Sequence, residues 1–339
     1  MTIPFFRTGA RKALEGGLLT LLLAAATFIA TVPRALAQES LYPARPVTLV
    51  LPFPPGGLAD AVARRLAERL TTLWKVPVVV SNKPGAGGNL GASQVASAEA
   101  DGYTLLITVY DGLVITKAFG AKVGFDPTRD LVAVALPTLS STVIVANPSV
   151  PAKDFRGFIA HAKANPGKLN FGSNGIGSSY HLALEQLNAM AGTDIGHVPY
   201  KGSSQVMLDL LAGRLDATIV TAFLGMPYVS DGRVKPLAIG SAERSPLLPG
   251  IPTVAESGYP GYEASIGMGV FAPAALPQTL VARINADIRK VMQDPELAKQ
   301  FLSEGTVVTD LSPAQFADRF QKEVVKLQDL IARKNIKME

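Results

Sequence analysis

Val47-Thr48-Leu49-Val50-Leu51-Pro52-Phe53-Pro54-Pro55-Gly56-Gly57-Leu58-Ala59-Asp60 is the stretch on which the fold turns. Residues 47–52 are uncharged and rich in β-formers, so they read as a buried strand. From Leu58 a helix is predicted over 58–73: Val62, Leu66, Leu70 and Leu73 recur at helical spacing, while Arg64, Arg65 and Glu68 fall on other faces. A Gly/Pro turn joins the two. Strand, glycine turn and helix are the unit from which parallel sheets are wound.

Working outward, the unit recurs. Strands are predicted at 76–80, 103–108, 142–146, 169–171, 196–198, 217–221 and 237–240. Helices are predicted at 89–98, 153–164, 178–191 and 204–211, and two more open at Pro277 and Pro313. This is an α/β chain, and the alternation runs through twice. The second pass is Leu169-Asn170-Phe171-Gly172-Ser173-Asn174-Gly175-Ile176-Gly177-Ser178-Ser179-Tyr180-His181, again strand, glycine turn, helix. Two Pro-punctuated apolar segments, 137–151 and 267–277, suit crossings between two lobes. The expected division is 38–137 plus 268–339 for one lobe and 138–267 for the other, each a mainly parallel sheet covered by helices.

The N-terminus sets the compartment. Arg7, Arg11 and Lys12 precede an apolar run at 16–32, and Ala35-Leu36-Ala37 ends it with small residues at the −3 and −1 positions. That is the layout of a cleaved secretory signal, cut after Ala37; the run is at the short limit of roughly 17–25 residues for a membrane span. Removing 1–37 lowers the formal charge from +5 to +2. With no Lys/Arg block and no basic stripe interleaved with aromatics, nucleic acid is not an expected partner. The chain has no cysteine, which excludes disulfide scaffolds, Cys-ligated metals, thiol chemistry and a lipid-bearing cysteine.

A turn that leaves a strand and opens a helix lies at the carboxyl edge of its sheet, where open α/β sheets bind ligands. The free N–H groups and positive dipole end of the first helical turn favour an anion, and glycine lets its oxygens approach the backbone. Two such turns facing each other across lobes could hold both ends of a dicarboxylate, or one carboxylate and a polar tail. The third Gly-rich stretch, Asn82-Lys83-Pro84-Gly85-Ala86-Gly87-Gly88-Asn89, reads as an irregular loop between lobes. Ser178 also reads as a plain N-cap, and Asp60 as a first-turn dipole partner.

Catalytic signatures are lacking. Gly85-x-Gly87-x-x-Leu90 and Gly175-x-Gly177-x-x-Tyr180 both miss the third glycine of a dinucleotide fingerprint, and there is no phosphate loop or nucleophile elbow. The three histidines, His161, His181 and His197, have no metal-ligand spacing. No cofactor or metal is expected, and no enzyme activity.

Taken with Asp101-Gly102-Tyr103-Thr104-Leu105, Asn165-Pro166-Gly167-Lys168-Leu169-Asn170-Phe171-Gly172-Ser173, His197-Val198-Pro199-Tyr200-Lys201-Gly202, Leu210-Leu211-Ala212-Gly213-Arg214-Leu215-Asp216, Pro252-Thr253-Val254-Ala255-Glu256 and Phe271-Ala272-Pro273, these loops make the chain resemble the Bug family, the substrate-binding receptors of tripartite tricarboxylate transporters. The resemblance covers nearly all of the chain after the signal. It implies a periplasmic, monomeric Venus-flytrap protein that closes on a small organic acid without a cofactor and hands it to membrane transporter subunits in transient contacts. Phe53, Pro55, Gly56, Gly57, Leu58 and Asp60 would form the first-lobe carboxylate clamp. Gly175, Ser178, Ser179 and His181 would form the second, with Tyr200 and Lys201 near the cleft.

Three departures bear on the ligand. Gly267 stands where the family often has a tryptophan, and Val220 where it often has an aspartate. Tyr110-Asp111 replaces a small or hydroxylated pair. With Tyr110 offering an aromatic face and Gly267 leaving the space of an indole ring, a bulkier or aromatic acid is expected over a small polar one. Two other readings fit the same fold: a sensory module that presents its closed form to a membrane kinase, and a secreted hydrolase or lyase acting on an organic acid.

Overall fold

The computed structural model describes residues 42–334 and 336, so the expected signal at 1–37 and its cleavage site lie outside the described residues. Arg45–Glu339 form one unit. Its first pass runs β1 (Val47–Leu51), α1 (Leu58–Trp74), β2 (Val78–Asn82), α2 (Asn89–Ala96), β3 (Thr104–Val109), α3 (Asp111–Ala118) and β4 (Leu131–Ser140). The second runs β5 (Thr142–Ala146), α4 (Phe155–Ala164), β6 (Asn170–Ser173), α5 (Ser179–Ala191), β7 (Gly196–Pro199), α6 (Ser203–Leu211), β8 (Ala217–Thr221), α7 (Ala222–Ser230) and β9 (Lys235–Ile239). The chain then returns through β10 (Ile266–Pro273), α8 (Gln278–Met292), α9 (Pro295–Ser303), β11 (Thr306–Val308) and α10 (Pro313–Lys334).

The strands form two sheets, ordered β11-β4-β10-β3-β1-β2 and β7-β6-β8-β5-β9. In the first, β1 pairs in parallel with β2 and β3; in the second, β6 pairs in parallel with β7 and β8. These are the halves built by strand–helix alternation. The expected mainly parallel sheets are instead mixed: β10 runs antiparallel to β3 and β4, β11 to β4, and β5 to β8 and β9. β10 returns from the second sheet and β5 enters it, so their direction is set by the crossing and not by a βαβ turn, whereas β11 is added at the first sheet's edge after α8 and α9.

Helix α1 shows how local sequence makes these elements. Val62, Leu66 and Leu70 are fully buried, and Lys75 closes the helix in the left-handed region, donating its N–H to Thr71 O. In the second sheet, Phe155 and Phe158 of α4 and Leu184 and Leu187 of α5 pack on one face, Val206 and Leu210 of α6 on the other. One passage between sheets needs a single residue. Ser141 lies between β4 and β5; its N–H donates to Gly305 O and its carbonyl accepts from Ala222 N–H, both at 2.8 Å.

Candidate functional site

The two sheets repeat one topology. From β1 the chain moves through α1 to β2 on one side, then through α2 to β3 on the other, giving β2-β1-β3; β6, β7 and β8 repeat it as β7-β6-β8. Right-handed crossovers in opposite directions put their helices on opposite faces. A crevice therefore opens beyond the carboxyl ends of β1 and β3, and another beyond those of β6 and β8. These are the switch points at which such sheets bind ligands.

The first crevice is bordered by the 52–57 turn. Pro55, Gly56 and Gly57 are exposed, Phe53 and Leu58 half-buried. Gly57 is the N-cap of α1 and supplies no side-chain cap, so the first turn presents its backbone donors to whatever enters. Asp60 is buried and committed to the turn itself. It takes a bidentate ion pair from Arg64 (2.8 and 3.0 Å), a bond from Asn82 Nδ2 (3.0 Å) and the Gly56 N–H (3.1 Å). The Arg64 and Asn82 bonds hold its pKa down to about 2. Asp60 holds the turn in shape.

Beside this turn lies the stretch that the sequence reading assigned to an irregular loop. A Cβ at Gly88 would sit 3.6 Å from Pro52, one at Gly91 3.0 Å from Pro52, and one at Gly112 3.8 Å from Gly87 O. The 83–91 segment therefore lies against both sides of the crevice. The signal that could have found it is the run of glycines, four of them among residues 85–91, which permits this close approach.

The second crevice has the 174–178 turn. Gly175 takes a φ of +121° and approaches Tyr200 O. Ser178 caps α5 by accepting the His181 N–H at 3.2 Å, while Gly177 N–H donates to His181 Nδ1 at 3.0 Å. The His181 ring is buried, stacked 3.8 Å from His197. His197 Nε2 meets Ser173 Oγ at 2.5 Å, and Ser173 Oγ also bonds Gly175. Burial lowers the pKa of His181; burial and then the His181 charge lower that of His197 to about 4. The pair is a neutral brace under the turn. Ser173, which the sequence reading passed over, is its centre. Ser179 stays half-buried, whereas Tyr200 gives its hydroxyl to Asp209 at 2.7 Å.

Three expected site residues are core instead. Tyr110 is 1% exposed and packs edge-on against Phe316 and Phe320, with its hydroxyl donating to Glu323 at 2.7 Å. Its ring fills the space over Gly267: a Cβ there would collide with Tyr110 and lie 3.1 Å from Leu139. No indole-sized gap exists at this point. Val220 is 1% exposed and packs into the apolar cluster under α6 and α7.

A cavity of about 700 Å³ lies elsewhere, among α3, α5, α10 and residues 261–266. Of the expected site residues only Asp111 and Ser179 line it. Arg319 crosses its floor, pairing with Glu263 at 2.5 Å and Glu323 at 3.0 Å. Asp111 accepts the Gly267 N–H at 3.4 Å and has no ion pair among the described residues. Desolvation and then the Glu323 charge raise its pKa to about 7.

The chain is similar to known proteins over most of its length. A family model described as the tripartite tricarboxylate transporter family receptor matches residues 62–336. The protein BugT of Bordetella pertussis is 35% identical over 301 residues, covering 87% of this chain and 92% of its own. Two solved structures from Rhodopseudomonas palustris are also similar. One, Rpa4515 with adipate, is 31% identical, with a TM-score of 0.74 and coverage of 87% and 99%. The other, MatC with bound malate, is 29% identical, with a TM-score of 0.70 and coverage of 86% and 100%. With twin crevices on a two-lobed α/β frame and a family match over most of its length, this chain belongs to the tripartite tricarboxylate transporter family of receptors, the Bug proteins.

Proposed function

We propose that the protein is a periplasmic receptor that captures a small organic carboxylate between its lobes and delivers it to membrane transporter subunits in transient contacts. The lobes are close to the expected 38–137 plus 268–339 and 138–267, with the boundaries moved to Ser140 and Ile266, where β4 ends and β10 begins in the first sheet. On this reading the chain is exported, cut after Ala37, and acts as a monomer. Phe53 to Leu58 hold one end of the ligand; Gly175, Ser178 and Ser179 hold the other.

The observation that supports it most is the duplication. Each half ends its central strand in a glycine turn that opens a helix at a switch point. Helix N-termini stabilise anions, and a pair of them suits a carboxylate group at each end, as in the adipate and malate held by the two R. palustris proteins.

A melting screen against mono-, di- and tricarboxylates tests the reading. A ligand at 100 times its Kd adds about 2.7 kcal/mol of stability, a shift of several degrees. At least one carboxylate should give that shift. Shifts from sugars, nucleotides or metal ions alone would sink it.

A further inference from the structure

Lys83 and Lys201 lie on equivalent segments of the two halves, offset by one residue. Lys83 N–H donates to the carbonyl of Leu51, the last residue of β1, at 2.8 Å; Tyr200 N–H donates to that of Ser173, the last residue of β6, at 2.9 Å. Lys83 thus corresponds to Tyr200, and Lys201 lies one residue further. Each lysine sits on the segment that borders its crevice, the first against Pro52 and Gly112, the second against Gly175. Both side chains are exposed, and neither ammonium has an ion-pair partner among the described residues.

Of the acids on neighbouring elements, Asp60 is held by Arg64, Asp126 by Lys117 and Asp209 by Arg214, while Asp111 after β3 has no ion pair among the described residues and its carboxyl is pushed towards the neutral form. Each crevice also carries an unpaired cation on a flexible stem. An isolated exposed lysine contributes little to stability, but a cleft bordered by one sign of charge concentrates counter-ions and speeds their arrival.

We propose that Lys83 and Lys201 are electrostatic capture residues, one per lobe, which draw an anionic ligand into the cleft before the helix N-termini engage it. The proposal rests on the carboxylate-receptor reading and deepens it. The lysines set the rate of entry, and the glycine turns set the residence time. Such steering changes on-rates and their salt dependence more than off-rates.

Stopped-flow binding tests it, using adipate, malate, citrate and benzoate as probes on the full mature chain. The variants are Lys83→Gln, Lys83→Glu, Lys201→Gln, Lys201→Glu and the two double replacements. For each probe that the unaltered protein binds, kon should fall in steps that follow the charge removed, by about tenfold in the double Gln variant at low salt. The koff should hold steady, and the differences should close near 1 M salt, where screening acts within about 3 Å. An unchanged kon, or a loss carried by koff and equal for Gln and Glu, overturns the proposal while leaving the receptor reading intact. If the unaltered protein binds none of the four, both fall together.

Discussion

Asp60 Oδ2 accepts the Gly56 N–H at 3.1 Å, so a carboxylate on the first turn of α1 fixes the turn that leads into it. With Arg64 and Asn82 on the same carboxylate, the geometry of the turn is fixed by the chain's own contacts. Asp60→Ala leaves these donors without their acceptor and is expected to cost about 1–3 kcal/mol and to weaken carboxylate binding. The folded pKa of about 2 lies below the ordinary 3.8, so this stability is complete above about pH 4 and is lost as pH falls towards 2. Melting of the variant and the parent should therefore converge at low pH.

Gly57→Val should abolish binding and leave a folded protein. Gly57 has a φ of −88°, which a β-branched residue can adopt, and a Cβ there meets nothing within 4 Å. The new side chain occupies the approach to the helix N-terminus. Calorimetry showing unchanged affinity would remove this turn from the site. Ser178→Ala should weaken binding less and cost about 1 kcal/mol as a lost cap, measured by denaturant unfolding.

Gly267→Ala should destabilise the protein by about 1–3 kcal/mol, because the added methyl runs into the Tyr110 ring. Trimming the ring as well, in Gly267→Ala with Tyr110→Leu, should give less than the sum of the two single effects, the mark of residues in contact. Additive losses would mean that the ring is not what fills the space. The same geometry removes the ground for expecting a bulky or aromatic acid.

Asp111→Asn is expected to stabilise the protein above pH 7 by about 1 kcal/mol, or roughly 2 °C. The folded carboxyl has its pKa raised to about 7 from 3.8. Its destabilising effect relative to the unfolded chain is therefore full above about pH 7, shrinks as pH falls from there towards 3.8, and is gone below that. The gain should fade between about pH 7 and about pH 4; a gain constant with pH would argue against burial of the charge.

The histidine brace works in the opposite sense. His197 has its folded pKa lowered from 6.5 to about 4, so its stabilising neutrality is complete above 6.5 and is lost between there and 4, where the unfolded chain takes up a proton that the folded one refuses. Melting midpoints should drop across that window. His197→Phe, which keeps the stack without the titration, should flatten the drop.

How much of this could be read in advance follows from what each feature depends on. The glycine turns at 52–57 and 174–178 are local, and strand, turn and helix are legible in their spacing. Helix α3 was not expected, because Asp111–Ala118 is short and Tyr110 gives it no side-chain cap. Strand β2 was expected at 76–80 but forms at Val78–Asn82. Pro77 has no N–H for the ladder, and polar Ser81 and Asn82 gave no hydrophobic signal. Tyr110 over Gly267 and Asp60 under Gly56 are likewise different problems. The second is four residues of chain; the first joins β3 to a strand that returns only after the whole second sheet has been laid down, and no local pattern records it.

Ser141 ties the two sheets together at one crossing. It is held on one side by Gly305 and on the other by Ala222, and the strands that it joins continue directly into both sheets. A backbone gripped on both sides has almost no slack to stretch or shear, so at this crossing the two sheets are tied at a fixed spacing, like two boards sharing one dowel.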